Sequence, residues 1–510
     1  MLDWFKRGRP LQLAISATCS AAFILFGYDQ GVFSGIIGNE DFRETFGHPN
    51  DTKEGIIVSS YNLGCFTGCI LTFILGDWLG RRRAMWLAMA LITVGAVLQA
   101  TAYSVPHVII ARVITGFGTG METSTVPMYQ SELCKPEYRG RIVASEPMFV
   151  GIGIVIAYWF DYGMNFVSPT SSIASVAWRL PIACQIFFTI VVSILIFGVP
   201  ESPRWLFQQG REQEAIQVLC QVYDFSPSDK EVVKEAEDIK EAMRLEEENS
   251  FRWRNLLQRD SVQTGRRVLL AWGMQFMNQV GGINLIVYYL PKALTENVGL
   301  SRDMALILGG CINIMFPVGS LIPSFFLDQM GRRGPMMWCS FLLAICMACV
   351  AALLSFKGTD VEKATASASV AFFFLYQFVF GAGPNCIPWV YVPEILPLHA
   401  RAKGTAIGIS SNWIWNFTIV MITPVILNRL QWKAYLIFVA TNALFVPLVY
   451  FMYPETSRLS LEEIDLLFLQ PNAVKASLDR SWLARHDLEA PVTEKEKGSE
   501  EHIESNDSRL

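Results

Sequence analysis

The chain alternates long apolar runs with short polar clusters. Each apolar run has about 20 residues, which as a helix matches the roughly 30 Å hydrocarbon core of a bilayer. Because backbone polar groups in a bilayer must be hydrogen-bonded within the protein, such runs predict helices. The pattern therefore predicts an all-α membrane protein with twelve transmembrane helices. The runs begin near Leu11, Gly55, Ala84, His107, Arg141, Trp178, Arg266, Arg302, Pro335, Ala366, Lys403 and Lys433.

A long polar segment separates the first six runs from the last six. We predict an N-terminal six-helix bundle over residues 1–199. A cytoplasmic linker with short helices is predicted over residues 200–265, because this segment is rich in Glu, Lys, Arg and Gln. A C-terminal six-helix bundle is predicted over residues 266–453. The cytoplasmic tail, residues 454–510, is predicted to be largely disordered at its end, where it becomes acidic and Ser-rich.

The composition excludes an ordinary soluble protein. Of the 510 residues, 52% are hydrophobic and 17% are charged, whereas soluble chains carry roughly a quarter charged residues. The net charge of −5 and the lack of a basic face argue against nucleic-acid binding. The sequence shows no nucleophile–base arrangement, P-loop or metal-ligand cluster, and its Cys residues lie mostly in apolar runs as small hydrophobes. We therefore expect neither an enzyme nor a bound metal or organic cofactor.

Lys and Arg residues indicate the orientation in the membrane. Clusters such as Lys6 to Arg9 and Arg81 to Arg83 lie on one side of the predicted helices, and the opposite loops carry fewer. By the positive-inside rule that side is cytoplasmic, and an even number of spans places both termini there. The first apolar run is too long for a signal-peptide core and is expected to be retained. Asn50 then lies in an outer loop, in a glycosylation sequon with Asp51 and Thr52.

The two halves repeat each other's charged motifs. Gly80 to Arg82 recurs as Gly331 to Arg333, and Pro200 to Ser202 recurs as Pro454 to Thr456, each about 250 residues later. Parallel repeats of this kind place a substrate at their interface near the bilayer midplane and move by rocking one half against the other. The matched charges predict a cytoplasmic charge network of Arg81, Arg82, Glu132, Arg139, Glu201, Arg332, Arg333, Glu394, Arg401 and Glu455.

Few ionisable residues fall deep within a predicted span. They are Asp29, Arg112, Glu122 and Glu146, all in the first half. A charge at such a depth costs roughly 2.5–3.5 kcal/mol on insertion scales, so each suggests a function or a polar partner. No His lies within a span, so any transported proton must be carried by a carboxylate. Asp29 with Arg112 is our candidate for proton coupling, while Glu122 and Glu146 either contact neighbouring polar groups or assist substrate or proton.

The second half carries neutral polar side chains suited to a hydroxylated ligand. Gln275, Asn278 and Gln279 share one face of a helix, and Gly281-Gly282 allows that helix to bend or break before Asn284. Amides supply the donors and acceptors that sugar hydroxyls require, although each alone is also common as a contact between helices. The other candidates for substrate binding are Asn313, Asn385, Trp389 and Asn412, and the candidate gate residues are Tyr288 and Tyr289.

Several motifs together are specific to one family. They are Gly27-Tyr28-Asp29 with Gly31; Asp77 to Arg82; Arg112 with Gly116 and Gly120; Pro127, Tyr129, Glu132, Arg139 and Gly140; Pro200 to Leu206; Gln275 to Tyr289; Asp328 to Arg333; Pro388-Trp389; Glu394 to Gly404; and Pro454 to Thr456. With these motifs the chain resembles the sugar porters of the major facilitator superfamily from about Phe26 to Asp465, and fungal members in particular.

The resemblance implies two pseudo-symmetric six-helix bundles that transport a sugar. It implies that Asp29 and Arg112 face each other and that Asp29 is protonated in proton-coupled members; in a uniporter the same pair would be a permanent salt bridge. It further implies that the cytoplasmic charges form ion pairs between the halves that hold an inner gate closed in the outward-facing state. The positions that match sugar contacts are Gln275, Gln279, Asn284, Asn313, Trp389 and Asn412.

Some positions depart from the family pattern. Asn278 replaces the first Gln of a common Gln-Gln pair, and Pro147 stands near a position where a sugar-contacting Gln is usual. Gly381 and Asn385 occupy positions that differ in animal glucose facilitators. Glucose cannot therefore be assumed, and a pentose, galactose or a polyol such as glycerol stays open.

These observations predict a plasma-membrane symporter that imports a monosaccharide or related polyol with a proton as the coupling ion. The expected partners are that small molecule and the lipid bilayer. A facilitative uniporter is the alternative within transport. A non-transporting sugar receptor is the alternative from another class, although the acidic tail shows no repeated signalling motif.

Overall fold

The computed structural model describes residues 5–134, 136–167, 174–248, 260–397 and 400–479. Within these residues the regular structure is helical, with no strand. The predicted disorder at the end of the tail lies outside the described residues.

The first half of the chain contains the six predicted spans. The run from Leu11 is covered by α1 and the short α2, which follow each other almost without a break, and each later run corresponds to a single long helix. A short helix, α3, leads into the next span and is capped by the Asn39 side chain, which accepts from Phe42 N. The helices are α1 (Arg9–Gly31), α2 (Phe33–Ile36), α3 (Glu40–Thr45), α4 (Asp51–Leu79), α5 (Arg81–Ala100), α6 (Val105–Leu133), α7 (Pro136–Met164) and α8 (Val176–Gly198).

Three short helices follow between the halves: α9 (Pro203–Gln208), α10 (Glu212–Tyr223) and α11 (Lys230–Glu248). They lie at the end of the bundle where α1 begins. Gly8 N donates to Gln221 O at 2.8 Å, and Gln12 Nε2 donates to Val222 O at 2.8 Å. We call this end of the molecule the terminal face and the other end the opposite face.

The second half repeats the arrangement with two interrupted spans. The seventh span breaks at Gly282, whose φ of 110° ends α12 and starts α13. The carbonyl of Gly281 accepts from Tyr376 Oη at 2.9 Å and from Asn442 Nδ2 at 2.7 Å, so neighbouring helices satisfy the freed backbone group. The tenth span breaks near Pro384. The helices are α12 (Thr264–Val280), α13 (Ile283–Glu296), α14 (Arg302–Met330), α15 (Arg333–Leu354), α16 (Glu362–Ala382), α17 (Ile387–Ile395), α18 (Arg401–Leu430) and α19 (Ala434–Met452).

Two helices of the tail, α20 (Leu461–Leu469) and α21 (Ala473–Asp479), also lie at the terminal face. A capping box of Ser460 and Glu463 begins α20. Arg267, fully buried at the start of α12, forms an ion pair with Asp465 at 2.6 Å. The described part of the tail is thereby attached to the second half.

The two halves contact each other along α4 with α18 and α7 with α14. Glycines allow the close approach: a Cβ on Gly55 would lie 2.3 Å from the carbonyl oxygen of Met421, and one on Gly151 would lie 2.3 Å from the Phe316 ring. The division of the chain into two bundles, a linker and a tail stays a prediction. The helix ends nearest their boundaries are Gly198, Thr264 and Met452.

Nine helical stretches among the described residues are long and apolar enough to cross a membrane. One of them, Lys403–Met452, includes both α18 and α19. The stretches leave out α6, which carries Arg112 and Glu122 within its apolar run, and the interrupted α12–α13, whose two parts have 17 and 14 residues. The predicted number of twelve spans is consistent with this finding.

Candidate substrate and proton site

Asp29 lies near the end of α1 and is completely buried. Its Oδ2 accepts a hydrogen bond from Thr119 Oγ1 on α6 at 3.4 Å, and its Oδ1 has no hydrogen-bond partner. Asp29 therefore has free capacity to bind a proton or a cationic group.

Arg112 is buried on the same helix as Thr119, two turns closer to the opposite face. Its Nη2 donates to Val58 O at 2.8 Å, and its guanidinium lies over the rings of Phe33 and Tyr61, at 4.0 and 4.7 Å from their centroids. Its Nε and Nη1 have no hydrogen-bond partner. The aromatic rings stabilise the positive charge without neutralising it.

Asp29 and Arg112 interact electrostatically, but they form no ion pair in the structure. The expected direct pair is thus absent from this arrangement, although the structure brings the two residues into one cluster. The reason is local: Arg112 is directed to the α4 backbone and two rings, and Asp29 to Thr119.

Tyr288 extends this cluster from the second half. It is buried on α13, and its hydroxyl lies near Arg112 and the amides of Asn62 and Asn416. Tyr289, the other candidate gate residue, donates to Val420 O at 3.0 Å and is held on its own half. The structure therefore places the Tyr288 hydroxyl beside the charged cluster, whereas the Tyr289 hydroxyl is bonded to the α18 backbone.

Four predicted amides form a connected group in the second half. Gln279 Nε2 donates to Asn278 Oδ1 at 2.7 Å and also to Asn412 Oδ1. Asn284 Nδ2 donates to Gln279 Oε1 at 2.9 Å. The break between α12 and α13 makes this possible, because it places Asn284 beside Gln279 rather than one and a half turns further along a continuous helix.

Gln275 lies one turn before Gln279 and is completely buried, yet neither its Oε1 nor its Nε2 has a hydrogen-bond partner. Asn416 Oδ1 and Trp413 Nε1 on α18 are buried without a partner as well. A buried polar atom without a partner costs about 1–3 kcal/mol, so several together indicate a place for water or a hydroxylated ligand.

The other predicted substrate residues lie in separate hydrogen bonds. Asn313 donates to Gly309 O at 2.8 Å and accepts from Gln377 Nε2 at 2.7 Å. Asn385 donates to Ser320 Oγ at 3.0 Å, and Trp389 is half-buried. The structure does not bond these three residues to the group around Gln279.

The predicted charge network forms two matching clusters at the terminal face. Arg81 pairs with Glu132 at 3.0 Å, and Arg332 pairs with Glu394 at 2.7 Å. Glu201 accepts from Arg81 N at 3.1 Å and from Arg82 N. Burial raises the pKa of Glu201, although these backbone N–H groups offset part of the rise.

Glu455 plays the same part in the second half, where it accepts from Arg332 N at 2.9 Å and Arg333 N at 3.0 Å. In this structure each cluster joins helix ends of one half, so these bonds are not ion pairs between the halves. The expected pairs between the halves in the outward-facing state stay a prediction, because here the halves are joined at the opposite face. Arg401 donates to Leu396 O of its own half at 3.4 Å. The side chain of Arg139 lies outside the described residues.

The halves are instead joined by charges at the opposite face. Lys292 on α13 pairs with Glu54 at 2.8 Å and Asp51 at 3.2 Å, both on α4. Arg302 on α14 donates to Gly35 O at 3.2 Å and to Asn165 Oδ1 at 2.9 Å. These contacts hold the two bundles together at this end.

Comparisons with known proteins agree with this architecture. The family model for "Sugar (and other) transporter" matches residues 14–468. The MFS-type transporter oryC of Aspergillus oryzae is 39% identical, over 94% of this chain and 89% of its own length. The sugar transporter STL1 of Saccharomyces cerevisiae is 32% identical, over 91% of this chain and 82% of its own length.

The chain belongs to the sugar porter family of the major facilitator superfamily. A solved structure of the proton:xylose symporter XylE from E. coli, bound to 6-bromo-6-deoxy-D-glucose, has the same fold. It gives a TM-score of 0.76 over 90% of this chain and 99% of its own, at 23% identity. The predicted all-α major facilitator fold is confirmed, and this sugar porter is a membrane transporter rather than an enzyme.

Sequence reasoning missed several polar residues that lie beside the candidate site residues of this sugar porter. Two of them are on α4: the Tyr61 ring lies under the Arg112 guanidinium, and Asn62 lies near the Tyr288 hydroxyl. Thr119 binds Asp29, and Gln377 binds Asn313. Uncharged side chains inside an apolar run carry little signal by themselves, but the run Ser59 to Asn62 is a polar interruption that could have indicated Tyr61 and Asn62.

Proposed function

We propose that this sugar porter is a proton-coupled symporter that imports a monosaccharide or a related polyol by alternating access. The observation that carries the proposal is Asp29, a fully buried carboxylate with one oxygen unpartnered beside an Arg112 that it does not pair with. A protonated, neutral Asp29 can remain in this position, whereas burying an ionised Asp29 without a direct partner is costly in free energy.

Charge pairing supplies the coupling. An ionised Asp29 is drawn to the free Nε and Nη1 of Arg112, and a protonated Asp29 is not. The two protonation states therefore favour different arrangements of α1 and α6, which is the condition for a proton to bias a conformational equilibrium. We assign the unpaired arrangement to the protonated state.

The amide group of the second half provides the substrate side of the proposal. Gln275 has both a donor and an acceptor free, and Gln279, Asn284 and Asn412 already form a hydrogen-bonded array beside it. Such groups suit neutral hydroxyls better than a charged or apolar ligand. The substrate class is therefore a hexose, a pentose or a small polyol.

The membrane location belongs to the same proposal. We place the protein in the plasma membrane with the terminal face in the cytoplasm, since the Lys and Arg clusters of the short loops lie there. In that orientation the joined opposite face is extracellular, and exposed Asn50 at the start of α4 is available for glycosylation.

Uptake of radiolabelled D-glucose, D-galactose, D-xylose and glycerol by transporter-deficient cells tests the proposal. A proton crossing 100 mV gains about 2.3 kcal/mol, enough for roughly fiftyfold accumulation of a neutral substrate. We expect accumulation that a protonophore abolishes. Asp29→Asn should lose accumulation but retain exchange of labelled for unlabelled substrate, which needs no net proton movement.

Two results would favour the alternatives. Equilibration without accumulation, unchanged by the protonophore and by Asp29→Asn, would establish a uniporter. Binding and a ligand-dependent signal with negligible uptake would establish a receptor.

A further inference from the structure

Glu122 is a second buried carboxylate, and it has no role in the coupling proposed for Asp29 and Arg112. It is 1% exposed on α6, and neither carboxylate oxygen has a hydrogen-bond partner. No hydrogen bond therefore accounts for the burial of Glu122. Asp161 on α7 differs, because it accepts a hydrogen bond from Gly35 N at 3.0 Å.

The position of Glu122 relates it to Asp29. It follows Thr119, the hydrogen-bond donor to Asp29, by three residues, so the two side chains lie on neighbouring parts of one helix face. Three residues of α-helix advance about 4.5 Å. Because α6 ends at the terminal face, where Glu132 pairs with Arg81, Glu122 lies between Asp29 and that face.

The titratable groups around Glu122 identify Asp29 as its partner. Neighbouring helices carry Cys19 and Asp29 on α1, Cys65 and Cys69 on α4, and Glu146 on α7, while Arg112 lies on α6 itself. Among the described residues, Asp29 is the group that interacts electrostatically with Glu122. Two neighbouring carboxylates in a low-dielectric region do not both carry a charge, so protonation of one favours ionisation of the other.

A narrow cleft between α1 and α6 borders Glu122. The cleft is lined by Ala22, Phe23 and Phe26 of α1 and by Glu122, Thr123 and Val126 of α6. The Phe26 ring also packs edge-on against Trp413 of the second half, with 5.6 Å between centroids. Separation of the halves at the terminal face would therefore remove the contact that holds Phe26 over the cleft and would admit water to Glu122.

We propose that Glu122 is the second proton carrier of the transport cycle, relaying the proton from Asp29 to the terminal face. When the cleft opens, the O–H bond of protonated Glu122 breaks and its proton passes to water at that face, where the ionised carboxylate is hydrated. The O–H bond of protonated Asp29 then breaks as an O–H bond forms on the Glu122 carboxylate, and the ionised Asp29 becomes free to pair with Arg112. This inference rests on the proposed symport.

Purified protein in liposomes with an internal pH dye tests the relay. D-glucose, D-galactose, D-xylose and glycerol are each added to wild type, Glu122→Gln and Glu146→Gln, and substrate exchange is measured in parallel. Glu146→Gln is a matched control, because Glu146 is also a buried carboxylate with an unpartnered oxygen but shows no interaction with Asp29. We expect Glu122→Gln to lose substrate-driven proton movement by about tenfold or more while exchange is retained, and Glu146→Gln to keep both.

The outcomes separate this inference from the proposed function. Proton movement by wild type and equally by Glu122→Gln would overturn the relay and leave symport intact. Wild type that moves none of the four substrates with protons would overturn both. If Glu122→Gln also loses exchange, Glu122→Asp decides: recovery of exchange and proton movement supports the relay, and loss of exchange in both variants shows a structural role and overturns it.

Discussion

Gln275 shows, at the scale of single residues, how a binding role can be separated from a structural one. Its two polar atoms are buried without a partner, whereas Gln377 donates to Asn313 Oδ1 at 2.7 Å. Removing an unpartnered polar group does not break a hydrogen bond, but removing a partnered one leaves a buried acceptor unsatisfied.

We therefore expect Gln275→Leu to weaken substrate binding by up to about tenfold, the value of one hydrogen bond, without lowering thermal stability. Gln377→Leu is the matched control and should lower the free energy of unfolding by about 1–3 kcal/mol. Substrate-binding titrations and thermal unfolding of the purified variants measure both effects. A Gln275→Leu variant with wild-type affinity would exclude Gln275 from the binding site.

The residues of this site were predictable to different degrees from the sequence. The face shared by Gln275, Asn278 and Gln279 follows from helical spacing. The glycine pair before Asn284 indicated that the helix could bend or break there, and this break brings Asn284 to Gln279. The direction of the Arg112 side chain did not follow, because its contacts, Val58 O and the rings of Phe33 and Tyr61, come from other elements.

At the scale of helices, Gly282 determines the geometry of the substrate side. Its φ of 110° is a backbone conformation that residues with a Cβ rarely adopt, and a Cβ there would also lie 2.8 Å from the Phe438 ring. The positive φ turns α13 relative to α12 and thereby sets the position of Asn284.

Gly282→Ala should consequently reduce both stability and transport. We expect a loss of at least about 1 kcal/mol in the free energy of unfolding, since a left-handed conformation without glycine costs roughly 1–3 kcal/mol. Gly163→Ala is the control: Gly163 lies in α7 and a Cβ there would have no atom within 4 Å, so that variant should be at least as stable as wild type. Equal unfolding midpoints for the two variants would contradict the argument.

The charged helix ends show what repeats in a sequence can and cannot predict. The matched positions of Arg81 and Arg332, and of Glu201 and Glu455, were evident from the repeated motifs, and the structure places them at corresponding helix ends. A repeat gives the position of each charge but not its partner. The partners are selected by which helix ends pack together, here those of a single half.

At the scale of the whole molecule, the contact that joins the bundles was the hardest to predict. Lys292 lies more than two hundred residues from Asp51 and Glu54, so no local pattern relates them. Lys292 and Glu54 are mostly buried in the pair, with side chains 14% and 10% exposed. A buried charge that loses its partner is costly, whereas an exposed one is hydrated. The pair therefore favours the state in which the opposite face is closed.

Lys292→Met should shift the protein toward the state that is open at the opposite face. In the closed state it leaves Glu54 and Asp51 uncompensated, which costs about 3–5 kcal/mol for a buried pair, and opening removes that cost by hydrating the two carboxylates. Distances between spin labels on exposed Tyr103 and Val361, which lie in loops of different halves at this face, measure the shift. Lys53→Met changes an exposed lysine on the same face and should keep the wild-type distances. Adding Glu54→Gln to Lys292→Met should restore part of the closed population, because it removes the uncompensated buried charge. If Lys292→Met alone keeps the wild-type distances, the packing of α4 on α18 and of α7 on α14 closes this face without the ion pair.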